Sequence, residues 1–422
     1  MDIRIFPPEE ILETTVVLPP SKSIGTRAMV LNFIAGATPE PDDSCDDTAT
    51  LSAILSAGLP VGGTEVNVGP AGTAMRFLTA LFAASEGVDC VLTGSERMLR
   101  RPIGPLVGVL RKIGADIEYA GEEGFPPLRI RGRRLAGGSV EIDASVSSQF
   151  ISALMMITPL LEDDLSIRLL GDVQSMSYIR MTAGMMTQWG ACIDFERDKI
   201  DISCSGGLKP LPQSEPDWSA AAFWYEISAV TAGWVTLTGL SEESLQGDRN
   251  VAGLYERLGV LTSFEDGNAE LSATPDLYNW LEADLTDMPD AVPSLVATCC
   301  LIGMRFVLTG IGALHNKECD RIEALIAEMA KLGCILETEN YGTALRWDGR
   351  RVPVGEIPVF DTYNDHRMAM ALAPVCVFVP GIVIKNAEVV SKSYPRFWEQ
   401  LEEAGFRIVD PSEPISAVEE DA

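Results

Sequence analysis

Only eight lysines serve the 422 residues, and three of them, Lys22, Lys317 and Lys392, fall in short polar segments leading into helix-like runs, some apolar nearly all round and some amphipathic. Those segments are dense in side chains that bind or move charge. Pro19-Pro20-Ser21-Lys22-Ser23-Ile24-Gly25-Thr26-Arg27 opens one run, Gly69-Pro70-Ala71-Gly72-Thr73 a second, and Ser145-Val146-Ser147-Ser148-Gln149 a third. Arg97-Met98-Leu99-Arg100-Arg101-Pro102 precedes another, with Pro102 expected at the first position of a helix. Asn316-Lys317-Glu318-Cys319-Asp320-Arg321, Asn364-Asp365-His366-Arg367 and Lys392-Ser393-Tyr394-Pro395 complete the set. A helix N-terminus attracts anions through its free N–H groups and positive dipole end. A Lys or Arg at the same place makes a phosphate or carboxylate site. Any one segment alone reads as ordinary N-capping by Ser, Thr or Asp. Basic residues at several of them point instead to a small, multiply charged anion. Two carboxylates stand among these cations: Asp290, after Asp287-Met288-Pro289, and Glu318, beside Lys317. Each is either a structural ion pair or a proton carrier.

The remaining composition removes other chemistries. Two histidines, His315 and His366, cannot make a three-His zinc site, and no H-E-x-x-H is present. Phosphate motifs of the P-loop and dinucleotide types are missing, as is G-x-S-x-G. No metal and no cofactor is expected. Nine cysteines without a C-x-x-C pair read as reduced thiols rather than a disulfide framework. The formal charge of −29 and pI near 4.4 disfavour nucleic acid and anionic membrane surfaces. Met1–Pro8 lacks a signal-peptide core, and the uncharged stretch Met368 to Ile384 is too short and too proline-rich to span a bilayer. A cytoplasmic location is the expectation. With 46% apolar and 22% charged residues, the chain has material for more than one core.

The elements that must hold these groups repeat. An amphipathic run ends in glycine before a short β-like run at Gly58, Gly114, Gly190, Gly259, Gly333 and Gly405, spaced 56, 76, 69, 74 and 72 residues apart. Glycine there suits a helix C-cap that turns left-handed. A second series interleaves with it. Arg27–Ala37, Thr73–Ala84, Ser148–Leu161, Trp218–Val230, Ala291–Ile302 and Met368–Phe378 are apolar on nearly every face, as buried helices are. Strand-like runs such as Cys90-Val-Leu-Thr and Phe306-Val-Leu-Thr lie between the two helix types. The expectation is an α/β protein of six βαβαββ-like units, three per domain, with parallel buried helices, the first unit being short by about one element. Parallel packing would gather the helix N-termini of each domain at one end, and two such ends facing each other would form a cationic cleft. The proline-rich stretch Lys209–Pro216 marks the division: 20–216 as one domain, 1–19 with 217–422 as the other. Pro411–Ala422 reads as an acidic tail.

Taken in order, these segments resemble the 5-enolpyruvylshikimate-3-phosphate synthase family of enolpyruvyl transferases over nearly the whole chain. The resemblance rests on Ser21-Lys22-Ser23 with Arg27, Ala71-Gly72-Thr73-Ala74-Met75-Arg76, Arg97-Met98 with Arg101-Pro102-Ile103-Gly104, and Ser145-Val146-Ser147-Ser148-Gln149-Phe150. It continues through Pro289-Asp290-Ala291, Lys317-Glu318-Cys319-Asp320-Arg321, Thr362-Tyr363-Asn364-Asp365-His366-Arg367-Met368-Ala369-Met370 and Lys392-Ser393-Tyr394-Pro395. It implies a two-domain inside-out α/β barrel and a monomer. It also implies transfer of the enolpyruvyl group of phosphoenolpyruvate to the 5-hydroxyl of shikimate 3-phosphate, a step towards chorismate and the aromatic amino acids. Shikimate 3-phosphate would meet Lys22, Ser23, Arg27, Ser147, Ser148, Gln149, Ser175, Tyr178, Asp290 and Lys317. Phosphoenolpyruvate would meet Lys22, Gly72, Arg101, Gln149, Arg321, His366, Arg367 and Lys392. Asp290, Glu318, Lys22 and Lys392 would carry the catalytic proton transfers and charge balance.

The chain departs from the family pattern in places. Pro70 stands where an Asn is usual, Phe77 where a Pro is, and Ala313 where many members have an Asn. The first two bear on sensitivity to glyphosate, which takes the phosphoenolpyruvate site in this family. Two rival readings are UDP-N-acetylglucosamine enolpyruvyl transferase and a phosphate-ligand-binding relative without catalysis. The first carries a reactive loop cysteine; Cys90 lies near that stretch but reads as a buried strand thiol.

Overall fold

All six period-marking glycines adopt the left-handed backbone in a computed structural model of the chain, with φ of 82°, 107°, 118°, 84°, 77° and 93° in chain order. A side chain is strained in that region and glycine is not. At Gly190 the turn lets the backbone N–H close on the carbonyls of Met186 and Thr187, which ends the helix before a strand. The structure describes all residues except 39, 205–207, 212–214, 276–277 and 414–422. Residues 212–214 of the expected linker and 414–422 of the expected acidic tail lie outside the described residues. The chain divides into two units, one contiguous over 21–214 and one built from 1–20 and 215–422.

The contiguous unit holds helices α1 (Lys22–Ile34), α2 (Asp46–Ser56), α3 (Gly72–Ala84), α4 (Gly104–Lys112), α5 (Ser148–Met156) and α6 (Met176–Trp189). The odd-numbered helices are the apolar ones. Every residue of α3 but Thr73 is buried, whereas α4 buries one face through Leu106, Val107, Val109 and Leu110. Each later helix pair carries a four-stranded sheet of one design. Thr64–Asn67 pairs in parallel with Asp89–Thr93, which pairs antiparallel with Leu128–Arg131, which pairs antiparallel with Asp116–Tyr119. Gly138–Asp143, Leu165–Leu170, Lys199–Ser203 and Cys192–Glu196 repeat that order. The unit of α1 and α2 lacks more than the one element expected: among the described residues no strand lies between the two helices, and the strand that follows them, Thr64–Asn67, belongs to the next sheet. The connection there runs through Pro41, Asp42 and Asp43, residue types that disfavour strands.

The second unit holds α7 (Trp218–Thr231), α8 (Val251–Glu256), α9 (Val292–Ile302), α10 (Arg321–Ala330), α11 (His366–Leu372) and α12 (Phe397–Glu403), with three sheets of the same design. Two of these sheets need the N-terminus. Glu13–Val17 is the parallel first strand beside Trp234–Thr238. Ile3–Phe6 is an inner strand, with Ile5 opposite Ile382 on one side and Ile408 on the other. Among the described residues no helix is long and apolar enough to cross a bilayer.

Two boundaries differ from the sequence expectation. Pro102 does not begin a helix: Met98–Arg100 forms its own 3-10 turn, and α4 starts at Gly104 with Pro105 in its first turn. The amides of Ile103 and Gly104 both donate to the Gly124 carbonyl, at 2.9 and 3.1 Å, which sets the start two residues later. The apolar runs over 148–161 and 368–378 are not single α-helices. Each tightens to 3-10 geometry around a proline, Pro159 and Pro374, whose ring and missing N–H break the α pattern.

Candidate active site

In the contiguous unit the buried helices run side by side in the same direction. The Arg27 guanidinium, one and a half turns into α1, meets Ser152 and Phe77 at matching depths in α5 and α3. Gln149 Nε2 donates to Thr73 Oγ1 at 3.1 Å, tying the first turn of α5 to that of α3. The three N-termini therefore share one end, and the expected groups gather there. Ser147 caps α5 by accepting from the Gln149 amide at 3.3 Å, with Ser148 buried beside it. Lys22, in the first turn of α1 beside Ser23, reaches Asp47 Oδ2 at 3.2 Å.

Arg27 is 2% exposed. Its Nε donates to Thr182 Oγ1 at 2.7 Å, its Nη1 to the Ser23 carbonyl at 2.7 Å and its Nη2 to Ser152 Oγ at 3.2 Å. The Phe77 and Tyr178 rings lie 5.4 and 5.8 Å away. Burial lowers its pKa to about 10, against the Tyr178 contribution. Arg27 thus locks α1 to α5 and α6. Ser175, held at φ 57°, starts α6 and brings Tyr178 to that guanidinium.

Gly72 opens α3, and its missing side chain has a cause. A Cβ there would sit 2.7 Å from Arg101 Nη1 and 2.9 Å from Arg76 Nη1. Two guanidiniums can press against the helix start only because the residue is glycine. Arg76 donates to the Gly72 carbonyl at 3.0 Å. Cys90 is fully buried, and burial together with Asp89 pushes its thiol up to about 12, so it offers no thiolate.

The second unit gathers the other expected residues at the starts of α9, α10 and α11. Arg321 opens α10 with its side chain 1% exposed. Its Nη1 donates to Asp290 Oδ1 at 2.8 Å, its Nε to Asp365 Oδ2 at 2.7 Å and its Nη2 to Glu318 Oε2 at 3.1 Å. Arg367 Nη2 lies 3.0 Å from Asp290 Oδ2, and Lys317 Nζ lies 3.3 Å from Asp290 Oδ1. Lys392 Nζ stands 3.8 Å from Glu318 Oε1. His366 is buried, with Nδ1 3.8 Å from Asp365 Oδ1. Asp365 caps α11 by accepting from the Arg367 amide at 2.9 Å. The four cations Lys317, Arg321, Arg367 and Lys392 face the carboxylates Asp290, Glu318 and Asp365, with the buried Asp248 near Asp290 and Arg367 as a fourth acid. Burial pushes the Asp290 carboxyl up, but Arg367, Lys317 and Arg321 overcome this and hold it well below the usual range.

Several members of these clusters escaped sequence reasoning. Asp365 lies inside a quoted run, yet nothing local marked it as the anchor of Arg321. Asp47, the partner of Lys22, sits in an acidic stretch that reads as solvated surface. Asp248 is 4% exposed and accepts from Ser219 Oγ. Burial and the nearby Asp290 raise its carboxyl to about 7, against the Ser219 hydroxyl and Arg367. Its one local signal is a polar Gln246-Gly247-Asp248 step before a short helix.

Comparison with known proteins shows the family of the chain and its fold. A family model described as EPSP synthase (3-phosphoshikimate 1-carboxyvinyltransferase) matches residues 46–401. A 3-phosphoshikimate 1-carboxyvinyltransferase of Bacteroides fragilis is 43% identical over 401 residues, covering 94% of this chain and 96% of its own. One from Methanoculleus marisnigri is 33% identical over 408 residues, covering 91% and 94%. Among solved structures, an EPSP synthase from Acinetobacter baumannii superposes with a TM-score of 0.74 over 97% of this chain and 100% of its own, at 21% identity. That likeness speaks for the fold alone.

Proposed function

The chain belongs to the EPSP synthase family and is a 3-phosphoshikimate 1-carboxyvinyltransferase of the shikimate pathway, and we propose that the two clusters of helix-start residues carry its reaction. The enolpyruvyl group of phosphoenolpyruvate passes to the 5-hydroxyl of shikimate 3-phosphate, and phosphate leaves. Shikimate 3-phosphate is held by Lys22, Ser23, Arg27, Ser147, Ser148, Gln149, Ser175, Tyr178, Asp290 and Lys317. Phosphoenolpyruvate is held by Lys22, Gly72, Arg101, Gln149, Arg321, His366, Arg367 and Lys392. The observation that carries this reading is the network around Asp290 and Glu318, where these two and Asp365 stand among four cations.

Glu318 in its protonated form gives its proton to the methylene carbon of phosphoenolpyruvate, and positive charge develops on the carbon that bears the phosphate oxygen. The 5-hydroxyl attacks that carbon while Asp290 takes its proton, giving a tetrahedral ketal. Phosphate then leaves, protonated by Lys22 or Lys392, and Glu318 recovers a proton from the methyl group. Fixed cations stabilise the charge that shifts onto the leaving phosphate. A carboxylate held as low as Asp290 is a weak base. Anionic substrates drawing on Lys317 and Arg367 relax that hold and raise its basicity for the step. The test is phosphate release from phosphoenolpyruvate with each acceptor. Release with shikimate 3-phosphate and none with UDP-N-acetylglucosamine is expected; the opposite pattern refutes the reading, and no release with either favours a binding relative.

A further inference from the structure

We propose that His315 is a positioning residue: as an imidazolium it clamps the Lys317–Glu318 segment between the start of α10 and the turn at Asn340–Gly342, and so makes the placement of that segment depend on pH. The proposal rests on the reading of Lys317 and Glu318 as site residues.

The geometry comes first. His315 lies in the 3-10 turn Gly312–Asn316, two and three residues before Lys317 and Glu318. Its Nδ1 is 2.6 Å from Asp320 Oδ2 and its Nε2 is 3.1 Å from the Gly342 carbonyl. Both partners are acceptors, a carboxylate and a peptide oxygen. A neutral imidazole has one N–H and one lone pair, so either tautomer would set a lone pair against one of them. Only the doubly protonated ring satisfies both contacts. Asp320 is itself committed, since its Oδ1 accepts from the Glu323 amide at 3.2 Å and caps α10. The ring therefore joins three things: the segment carrying Lys317 and Glu318, the helix that begins with Arg321, and the turn beyond.

That turn is shaped to receive the ring. Asn340 and Tyr341 have φ of 51° and 59°, uncommon for residues with a Cβ, and Gly342 follows at 83°. A Cβ on Gly342 would lie 2.7 Å from His315 Nε2, so glycine lets the ring approach. The Tyr341 side chain is fully exposed and does not anchor the turn. The Ile311 amide, which donates to the Thr343 carbonyl at 3.3 Å, adds a second tie between the same two segments.

The charges around the ring favour its cationic form. α10 presents Asp320 and Glu323, while Arg321 points away into its three carboxylates. Lys317, on the segment itself, faces Asp290. The turn presents the Gly342 carbonyl, and Glu339 before it is taken by Arg346 at 3.0 Å. Burial works to lower the ring's pKa, but Asp320, Gly342 and Glu323 outweigh it and the net shift is upward. A histidine raised on folding holds its clamp fully below the ordinary value of about 6.5 and loses it as pH rises through the folded value.

The experiment is an imidazole and amide NMR titration of the full chain beside its pH–rate profile. His315 and His366 are the only histidines, so His315→Arg assigns the two ring signals by deletion. A His315 midpoint above about 6.5 is expected, with both ring nitrogens protonated below it. The Glu318 and Gly342 amides should titrate at the same midpoint and stop doing so in His315→Arg. kcat/KM should fall about five-fold on that alkaline limb in the native chain. His315→Arg, with N–H donors at every pH, should remove the limb, and His315→Gln should show the alkaline rate already at pH 6. A midpoint at or below 6.5, amides that ignore the ring, or a limb that persists in His315→Arg overturns the clamp. Failure of carboxyvinyl transfer at every pH overturns the functional assignment instead, and the ring and amide titrations still decide the clamp.

Discussion

At the scale of residues, the site is a matter of charges held closer than water would allow. Asp290 accepts from Arg321 and faces Arg367 and Lys317, so replacing it changes more than a proton acceptor. Asp290→Asn is expected to lower kcat by about 10²–10⁴-fold through loss of the base. The same substitution should leave KM for the anionic substrates unchanged or lower, because Arg367 and Lys317 lose their competing carboxylate. Steady-state kinetics in both substrates separates the two effects, and a rise in KM with kcat intact would rule out the base role. Gly72 makes an independent case. A methyl group placed 2.7 Å from Arg101 Nη1 must displace that guanidinium. Gly72→Ala is expected to raise KM for phosphoenolpyruvate by about ten-fold with a smaller change for shikimate 3-phosphate. The need for glycine was legible at that position only as a possibility; the two arginines that impose it come from α3 itself and from the turn after Met98.

At the scale of elements, the apolar helices carry one surprise. Glu226 sits in the middle of α7 with no exposed surface, and neither carboxylate oxygen has a hydrogen-bond partner among the described residues. Burial raises its carboxyl well above the ordinary value. An acid raised on folding withdraws stability as pH climbs above its unfolded value of about 4.3, because the unfolded chain ionises first. Glu226→Met should therefore raise Tm by about 2–4 °C near pH 8 and by less at pH 5. Equal shifts at both pH values in thermal melts would count against a neutral buried acid. Sequence patterning read this stretch as apolar and passed over the one charge in it. The glycine-ended outer helices were far more legible, since a left-handed C-cap leaves a local mark in the chain. The offset start of α4 was not, since it depends on the distant Gly124 carbonyl.

At the scale of the whole molecule, the unit containing 215–422 is completed by the first twenty residues. Ile3–Phe6 is an inner strand with ladders on both sides, and Glu13–Val17 supplies a parallel edge. Deleting residues 1–20 should abolish the cooperative unfolding of that unit. The contiguous segment 21–214, which owns all its strands, should retain a cooperative melt when made alone. Circular dichroism melts of the two truncated chains check this, and a folded 215–422 fragment would contradict it. The net charge of −29 belongs to the same scale, whereas substrate binding does not. The cations that matter lie 2.7 to 3.8 Å from the carboxylates they face, where local fields dominate a screened global one.

The sequence by itself determined the repeat, the two helix types, the polar helix starts and the family, because each is written in local spacing: a glycine every seventy-odd residues, a run apolar on all faces, a lysine before a helix. The tertiary structure alone decided which of those groups meet. Arg27 closes on Thr182 and Ser152, Arg321 on Asp365, Lys22 on Asp47 and His315 on Gly342. Each pairing spans a separation that no local pattern encodes. Charge at such sites is set by the sum of burial and neighbours in space, which exists only once the chain has folded.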